Sequence, residues 1–344
     1  MNRTVACLVV LVMIGASPAG AWTRSGDLDE IILGPKSTAK DIQSALNTLP
    51  ESGGTVLLRP GLYTIDRPVA LLRDNETLRG AGPTTILRLA NNANCPLLVM
   101  GTLENTPSRI VRNLRVSDMD LDGNRTNQPV ESWSTPGEGS EIRNNGLTVR
   151  GVTDAFVERV RCYRARSGGL VTEKGVLRLT VSDVASWDNE FDGIASYVTE
   201  DSVFIRLLLH DNPGAGLSLD RSFRHNVIGD SVMTANGSGI FMRDSRDNLF
   251  HALAIRDSRE HGVFMAQVAV KDAAGDWIPT PNTECTGNVF SGLQITGSGG
   301  AGFLANNDSC TNNLIQGARF ARNRLGGLCE SKPGLAKTQT ILDE

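Results

Sequence analysis

The sequence predicts an all-β fold, a right-handed parallel β-helix with a short N-terminal capping helix, and three observations carry that expectation. A glycine followed by a short, mostly apolar run recurs eight times, from Gly146-Leu-Thr-Val and Gly169-Leu-Val-Thr to Gly302-Phe-Leu-Ala and Gly327-Leu-Cys-Glu. The intervals are 23, 24, 23, 23, 23, 40 and 25 residues, and a period of that size marks a repeated supersecondary unit. Each unit holds short strand-like runs separated by Asn, Asp, Gly or Ser, and none carries a helical apolar stripe. The composition agrees: 36 glycines and 5% aromatic residues suit many tight turns around a narrow interior. One period then makes one coil, and coils stack at the strand spacing of ~4.8 Å.

A solenoid grows by adding coils, so residues 22–344 read as one domain. A net charge of −4 gives no electrostatic case for nucleic acid. Residues 1–21 read as a signal peptide: Arg3 precedes an apolar run from Val5 to Gly15, and Ala19-Gly20-Ala21 supplies the small-residue cleavage signature. The run is too short to span a bilayer. The expectation is a secreted or periplasmic monomer with no membrane insertion.

Next in order, Thr38-Ala-Lys-Asp41 is a capping-box pattern, with Ile42, Ala45, Leu46 and Leu49 at helical spacing. A helix over about 38–49 would plug the open end of the solenoid. Gly53-Gly-Thr-Val-Leu-Leu-Arg-Pro-Gly-Leu-Tyr63 reads as strand, turn, strand, and Glu76-Thr-Leu-Arg-Gly-Ala-Gly82 as the next turn of coil. Two polar stretches interrupt the repeat, about 125–144 with Trp133 and about 267–284 with Trp277. Long loops in a compact repeat are usually functional or disordered.

The capped helix, the GGTVLLRPGLY and LRGAG runs and Asp120-Leu-Asp-Gly-Asn124 together resemble the pectate-lyase-type β-helix superfamily. Within it they most resemble the mannuronan C5-epimerase branch, over roughly residues 38 to 325. That resemblance implies action on an acidic polysaccharide. The epimerases carry a Tyr-Gly-Phe-Asp-Pro-His motif on one coil. Aligned on Gly169, this chain has Gly168 at the Tyr position, Val171 at the Asp and Glu173 at the His, so the motif's acid–base set does not carry over. Asp192-Gly193-Ile on the next coil resembles the family's Asp-Gly-Phe.

The position after each glycine is apolar throughout, so it points inward, and strand alternation turns the second and fourth positions outward. The outward columns form a ribbon with Glu173, Tyr197, Asp220, Arg221, Arg243 and Asp244 on adjacent coils, and with Phe241 and Phe264 beside them. His261 stands at its edge. A polyuronate requires cations for its carboxylates, an acid and a base for the proton next to the carboxyl group, and apolar faces for its rings. Arginine is the base in some β-helix lyases, which by that analogy makes Arg221 and Arg243 candidates. Tyr197 is the alternative base or the acid, and Glu173 or Asp220 would orient the sugar or hold a cation. Trp133, Phe241, Asp244, His261, Phe264 and Trp277 are the candidate substrate contacts, and the two loops the groove walls.

Other features read as structural. Asn226, Asn248, Asn288 and Asn313 recur at one turn, as a hydrogen-bonded ladder would require. Asp118-Met-Asp-Leu-Asp122-Gly123 opens like a calcium loop, but its twelfth position is Pro129 rather than a bidentate glutamate. A strand ending in a turn is the better reading, and Ca2+ is the one candidate cofactor. The four histidines form no metal signature and read as exposed turn residues. Cys285 and Cys310 occupy equivalent places 25 residues apart, as a disulfide or a buried thiol stack. Two functions remain: an exported lyase or epimerase-like enzyme acting on an acidic polysaccharide, or a non-catalytic envelope protein that binds glycan or scaffolds another protein. Glycoside hydrolysis is disfavoured, because the hydrolase motifs Asn-Thr-Asp, Gly-His-Gly and Arg-Ile-Lys are missing.

Overall fold

The computed structural model describes residues 23–25, 29–134, 141–330 and 339–342. The segment read as a signal peptide lies outside them. Among the described residues one 29-stranded sheet winds as a right-handed parallel β-helix, with up to three strands per coil. The inward column stacks in register from Leu147 through Leu170, Ile194, Leu217, Ile240, Val263 and Phe303 to Leu328. All but Leu328 are fully buried. Each such side chain contributes roughly 1.5–3 kcal/mol by leaving water. Phe250 and Phe290 stack in the same interior at 4.6 Å, and Phe303 meets Phe290 edge-on at 5.0 Å.

The helix spans Ala39–Thr48 and starts where the capping box places it. Thr38 Oγ1 accepts from the Asp41 backbone N–H at 3.2 Å, and Asp41 Oδ2 accepts from the Thr38 N–H at 2.8 Å. Its apolar face buries Ala39, Ile42, Ala45 and Leu46 on the first coil. Gln43 pairs with both backbone groups of Ala70, so the helix also satisfies a strand edge. Arg73, held by the buried Glu76 at 2.8 Å, donates to the Leu46 and Leu49 carbonyls and closes the other end.

The repeating glycines follow from the closeness of the coils rather than from a left-handed backbone. A β-carbon on Gly193 would lie 2.8 Å from the Gly216 carbonyl oxygen, and one on Gly216 would lie 3.0 Å from that of Gly239. The contact between neighbouring coils, rather than turn geometry, is what excludes a side chain at these positions.

Asn226, Asn248, Asn288 and Asn313 form the expected ladder, each side-chain amide donating to the next Asn oxygen at 2.9–3.1 Å. A second ladder, Asn189–Asn212–Asn236, runs at another turn with rungs of 3.0 and 2.9 Å. The strand Arg115–Asp122 replaces any calcium loop. Its three carboxylates are all taken up by guanidinium groups: Asp118 by Arg159, Asp120 by Arg161, and Asp122 by Arg164 and Arg88. Cys285 and Cys310 are buried neighbouring thiols joined by a hydrogen bond, and no disulfide is present among the described residues. The histidines depart from the exposed-turn reading. Only His225 is well exposed; His210 stacks on Trp187 at 5.5 Å, and His251 and His261 are half-buried.

Candidate functional site

The strands Leu147–Tyr163, Leu170–Ser182, Ile194–Glu200, Ala215–Arg224, Ser238–Arg246 and Val263–Ala266 build the ribbon. Its second-position column is not uniformly open, contrary to simple alternation. Thr148, Val171, Ala195 and Ser218 are buried, whereas Phe241, Phe264 and Leu304 are half-buried. A cover accounts for the start of this column. The antiparallel hairpin of Ser132–Ser134 and Glu141–Arg143 brings Trp133 and Ile142 onto Ala70 and Val99, and Val99 is the register partner of Thr148.

The candidate residues fall into four groups. At the covered end Arg150 is fully buried, and its Nε meets Glu173 at 3.0 Å. Burial lowers the Arg150 pKa, with the Glu173 charge opposing. Glu173 is thus engaged by the coil behind it, at a point where the register slips between Thr172 and Val176.

In the middle, Tyr197, Asp220 and Arg243 are direct register neighbours on three successive coils. Arg243 Nη2 donates to Asp220 Oδ2 at 2.5 Å, and the Arg221 backbone N–H donates to Asp220 Oδ1 at 2.8 Å. Burial raises the Asp220 pKa, with Arg243 opposing. Arg221 is exposed, in left-handed backbone conformation, with its guanidinium 5.8 Å from the Tyr197 ring centre. Burial pushes the Tyr197 phenol up to about 12, reinforced by the Asp192 and Asp220 charges.

That last effect brings in two residues absent from the candidates read off the sequence. Asp192 stands one residue before Gly193, and burial raises its carboxyl to about 6. Its Oδ1 accepts from the Ala215 N–H at 2.7 Å. Arg143, from the covering hairpin, lies close enough to lower Asp192 and Tyr197, and its guanidinium sits 5.8 Å from the Phe191 ring centre. The signal for Asp192 was in hand, in the Asp192-Gly193-Ile match. Arg143 could not be read, because nothing in a loop sequence says where its hairpin folds.

Further along, Phe241 and Phe264 stack at 5.0 Å, with His261 5.8 Å from Phe264 and the Arg243 guanidinium 5.0 Å from the Phe241 ring centre. Stacking along the axis covers the inner ring faces, so this group offers a sugar mainly edges. His261 Nδ1 accepts from the Ala301 N–H at 3.0 Å, and burial lowers its pKa. Asp244 turns away from the others to bind the Ser222 N–H at 2.8 Å and Arg246 at 3.1 Å.

The tryptophans do not meet over the ribbon. Trp133 is half-buried in the cover, whereas Trp277 is 65% exposed on its own hairpin, beside Lys271. Two clefts flank the ribbon. One of about 340 Å³ has apolar walls from Ile110, Val152, Val176, Leu177 and Val198. The other, of about 550 Å³, is lined by Arg125, Arg166 and Glu190 among others.

Fold and site together define a parallel β-helix that bears a half-buried acid–phenol–arginine cluster on one ribbon of its coils. The chain belongs to the family described as periplasmic copper-binding protein (NosD), which matches residues 96–269, half of its length. It is also similar to the mannuronan C5-epimerases AlgE2 and AlgE5 of Azotobacter vinelandii, at 25% identity over 224 residues and 26% over 221. Those alignments take in 61% and 60% of this chain but only 21% of each relative, so the chain spans about a fifth of their length. Among solved structures, the A-module of the A. vinelandii mannuronan C-5 epimerase AlgE4 matches with a TM-score of 0.52 at 17% identity, covering 89% of this chain and 96% of the module. The N-terminal fragment of bacteriophage phi29 gene product 12 gives 0.61 at 14%, covering 88% and 52%. An endo-xylogalacturonan hydrolase from Aspergillus tubingensis gives 0.52 at 11%, covering 91% and 99%. These structural likenesses speak for the fold. Among the described residues no helix is long and apolar enough to cross a membrane.

Proposed function

We propose that the chain is an exported, carbohydrate-active protein that removes the proton α to the carboxyl group of a uronate in an acidic polysaccharide, as a lyase or an epimerase does. The observation that carries this is the pairing of a carboxyl raised to about 6 with a phenol raised to about 12 on the same coil. At pH 7 Asp192 is then mostly ionised and able to accept a proton, while Tyr197 keeps its own and can donate. Arg221 is exposed and available to neutralise the uronate carboxylate, which lowers the cost of forming a carbanion beside it. Arg243 is already bound to Asp220, which suits it to charge stabilisation rather than to the role of base.

Both elimination and epimerisation begin with that proton. In elimination the phenol would protonate the departing glycosidic oxygen. In epimerisation it would return a proton from the opposite face.

The family description names copper, and the described residues do not fit that ion. His210 stacks on Trp187, His225 stands between Asp201 and Asp247, and His261 Nδ1 holds a backbone N–H. Among the described residues no three His, Cys, Asp or Glu side chains are grouped to hold a metal. No step is therefore routed through copper.

The decisive experiment incubates the protein with polymannuronate and polygalacturonate. It follows absorbance of the unsaturated product and exchange of the C5 proton with deuterated solvent. The expected result is one of these signals, rising with pH through about 6 and lost in Asp192→Asn and Tyr197→Phe. The second reading, a non-catalytic glycan-binding or scaffolding protein, draws on Gly168, Val171 and Glu173 standing where the epimerase motif has its Tyr, Asp and His. Binding without either signal across both polymers would establish it.

A further inference from the structure

We infer that the cleft beside the ribbon, at Arg125 and Arg166, is a carboxylate subsite that holds a second uronate unit of the polymer away from the reaction centre; this rests on the polyuronate reading above. The cleft measures about 550 Å³ and is lined by Arg125, Thr126, Gln128, Pro129, Arg166, Glu190 and Pro213. Its position in the coil is regular. Arg166, Glu190 and Pro213 each stand three residues before a ribbon glycine, namely Gly169, Gly193 and Gly216, so they stack one above another at the turn that leads into the ribbon. Asp192 lies two residues beyond Glu190. The contact is close on the next coil too: a β-carbon on Gly214, next to Pro213, would lie 2.5 Å from Asp192 Oδ1. The cleft therefore adjoins Asp192, within reach of a neighbouring unit of a polymer bound there.

The charges in the cleft are unevenly committed. Arg125 is paired with Asp188 at 2.8 Å. Arg166 is half-buried and donates only its Nε, to the Gln128 carbonyl at 3.2 Å; no carboxylate pairs with it among the described residues. A guanidinium fixed by one backbone bond, with its remaining N–H groups uncommitted among the described residues, is suited to a carboxylate, which it can take in two parallel hydrogen bonds.

The wall that holds Arg166 is itself fixed. Gln128 is buried, accepting from the Asn94 N–H and donating to the Ala90 carbonyl at 2.8 Å each, and Asn127 donates to Asn124 at 2.8 Å. Little ordering remains to be done when a ligand arrives. Glu190 is exposed, with no ion pair among the described residues, and it adds the one negative charge at the rim.

The test compares the disaccharide and the hexasaccharide of mannuronate by titration calorimetry, in low and in high salt. Arg166→Ala should weaken the hexasaccharide about fivefold to tenfold and leave the disaccharide unchanged, because only the longer chain reaches the cleft. Arg166→Lys, which keeps the charge but not the fork, should recover part of the loss. Glu190→Gln should tighten the hexasaccharide, and both differences should shrink in high salt. Melting temperatures identify any variant that fails to fold, and the Lys and Gln changes keep the test open if Ala does. Equal weakening of both lengths, or of neither, overturns the subsite while leaving the polyuronate reading standing. A wild-type protein that binds neither oligosaccharide overturns both.

Discussion

The two hairpins that interrupt the coils look alike in sequence and behave differently in the fold. The first turns Trp133 and Ile142 inward onto Ala70 and Val99. The second, Ala269–Lys271 paired with Trp277–Pro279, leaves Val270, Trp277 and Ile278 all exposed. The difference lies beneath them. The first hairpin sits over small and β-branched residues that form an apolar floor. The second leaves the helix after Ala266 and returns at Cys285, whose thiol donates to the Ala266 carbonyl at 3.3 Å, so its feet close on themselves. A hairpin becomes part of the body when the coil below offers it an apolar seat. Otherwise it stands as an appendage.

Excision gives the largest test. Removing residues 131–143 should uncover Ala70 and Val99 and lower unfolding free energy by about 3 kcal/mol or more. Replacing residues 268–283 with a short Gly-Ser linker should leave denaturant midpoints nearly unchanged, since the flanking residues are already adjacent. Comparable losses in the two would erase the distinction. At single residues, Trp133→Ala should cost about 2 kcal/mol and Trp277→Ala less than about 0.5 kcal/mol, measured by urea denaturation.

The last effect is electrical. The folded Asp192 carboxyl lies near 6, above its ordinary 3.8, so the folded state holds that proton more tightly than the unfolded chain does. Its contribution to stability is therefore full below about pH 4 and is lost as pH rises to about 6, on the order of 1–3 kcal/mol. Asp192→Asn should abolish that part of the slope. Arg143→Gln on the first hairpin should push the Asp192 titration higher, as read by carboxyl NMR, and Lys271→Gln on the second should not move it.

Much of the fold was legible because it repeats. One inward side chain, one close-approach glycine and one turn asparagine per coil are each seen many times in 344 residues, so the pattern outweighs any single exception. The Asn226–Asn313 ladder could be read because the asparagine is followed by Val or Leu at the same place in each coil. The Asn189–Asn212–Asn236 ladder lacks such a common neighbour and stayed hidden. The candidate site was less legible for a different reason. Its chemistry comes from side chains that leave the repeat. The Arg143 position depends on how a loop folds back, the Glu173 carboxylate is drawn to Arg150, and Asp244 turns to Ser222. Alternation along a strand fixes direction only while the register holds, and it slips in most of these coils, just after the fourth position.

The asparagine ladders also bear on how the molecule would respond to force. Their rungs lie along the same axis as the backbone bonds of the stacked strands. A pull along that axis must therefore break the strand contacts between two coils together with the ladder rung that crosses the same gap, whereas a pull on one loose strand peels the bonds one after another. The rod should be stiff in tension and weak to unzipping, with the capped helix guarding the end where peeling would otherwise begin.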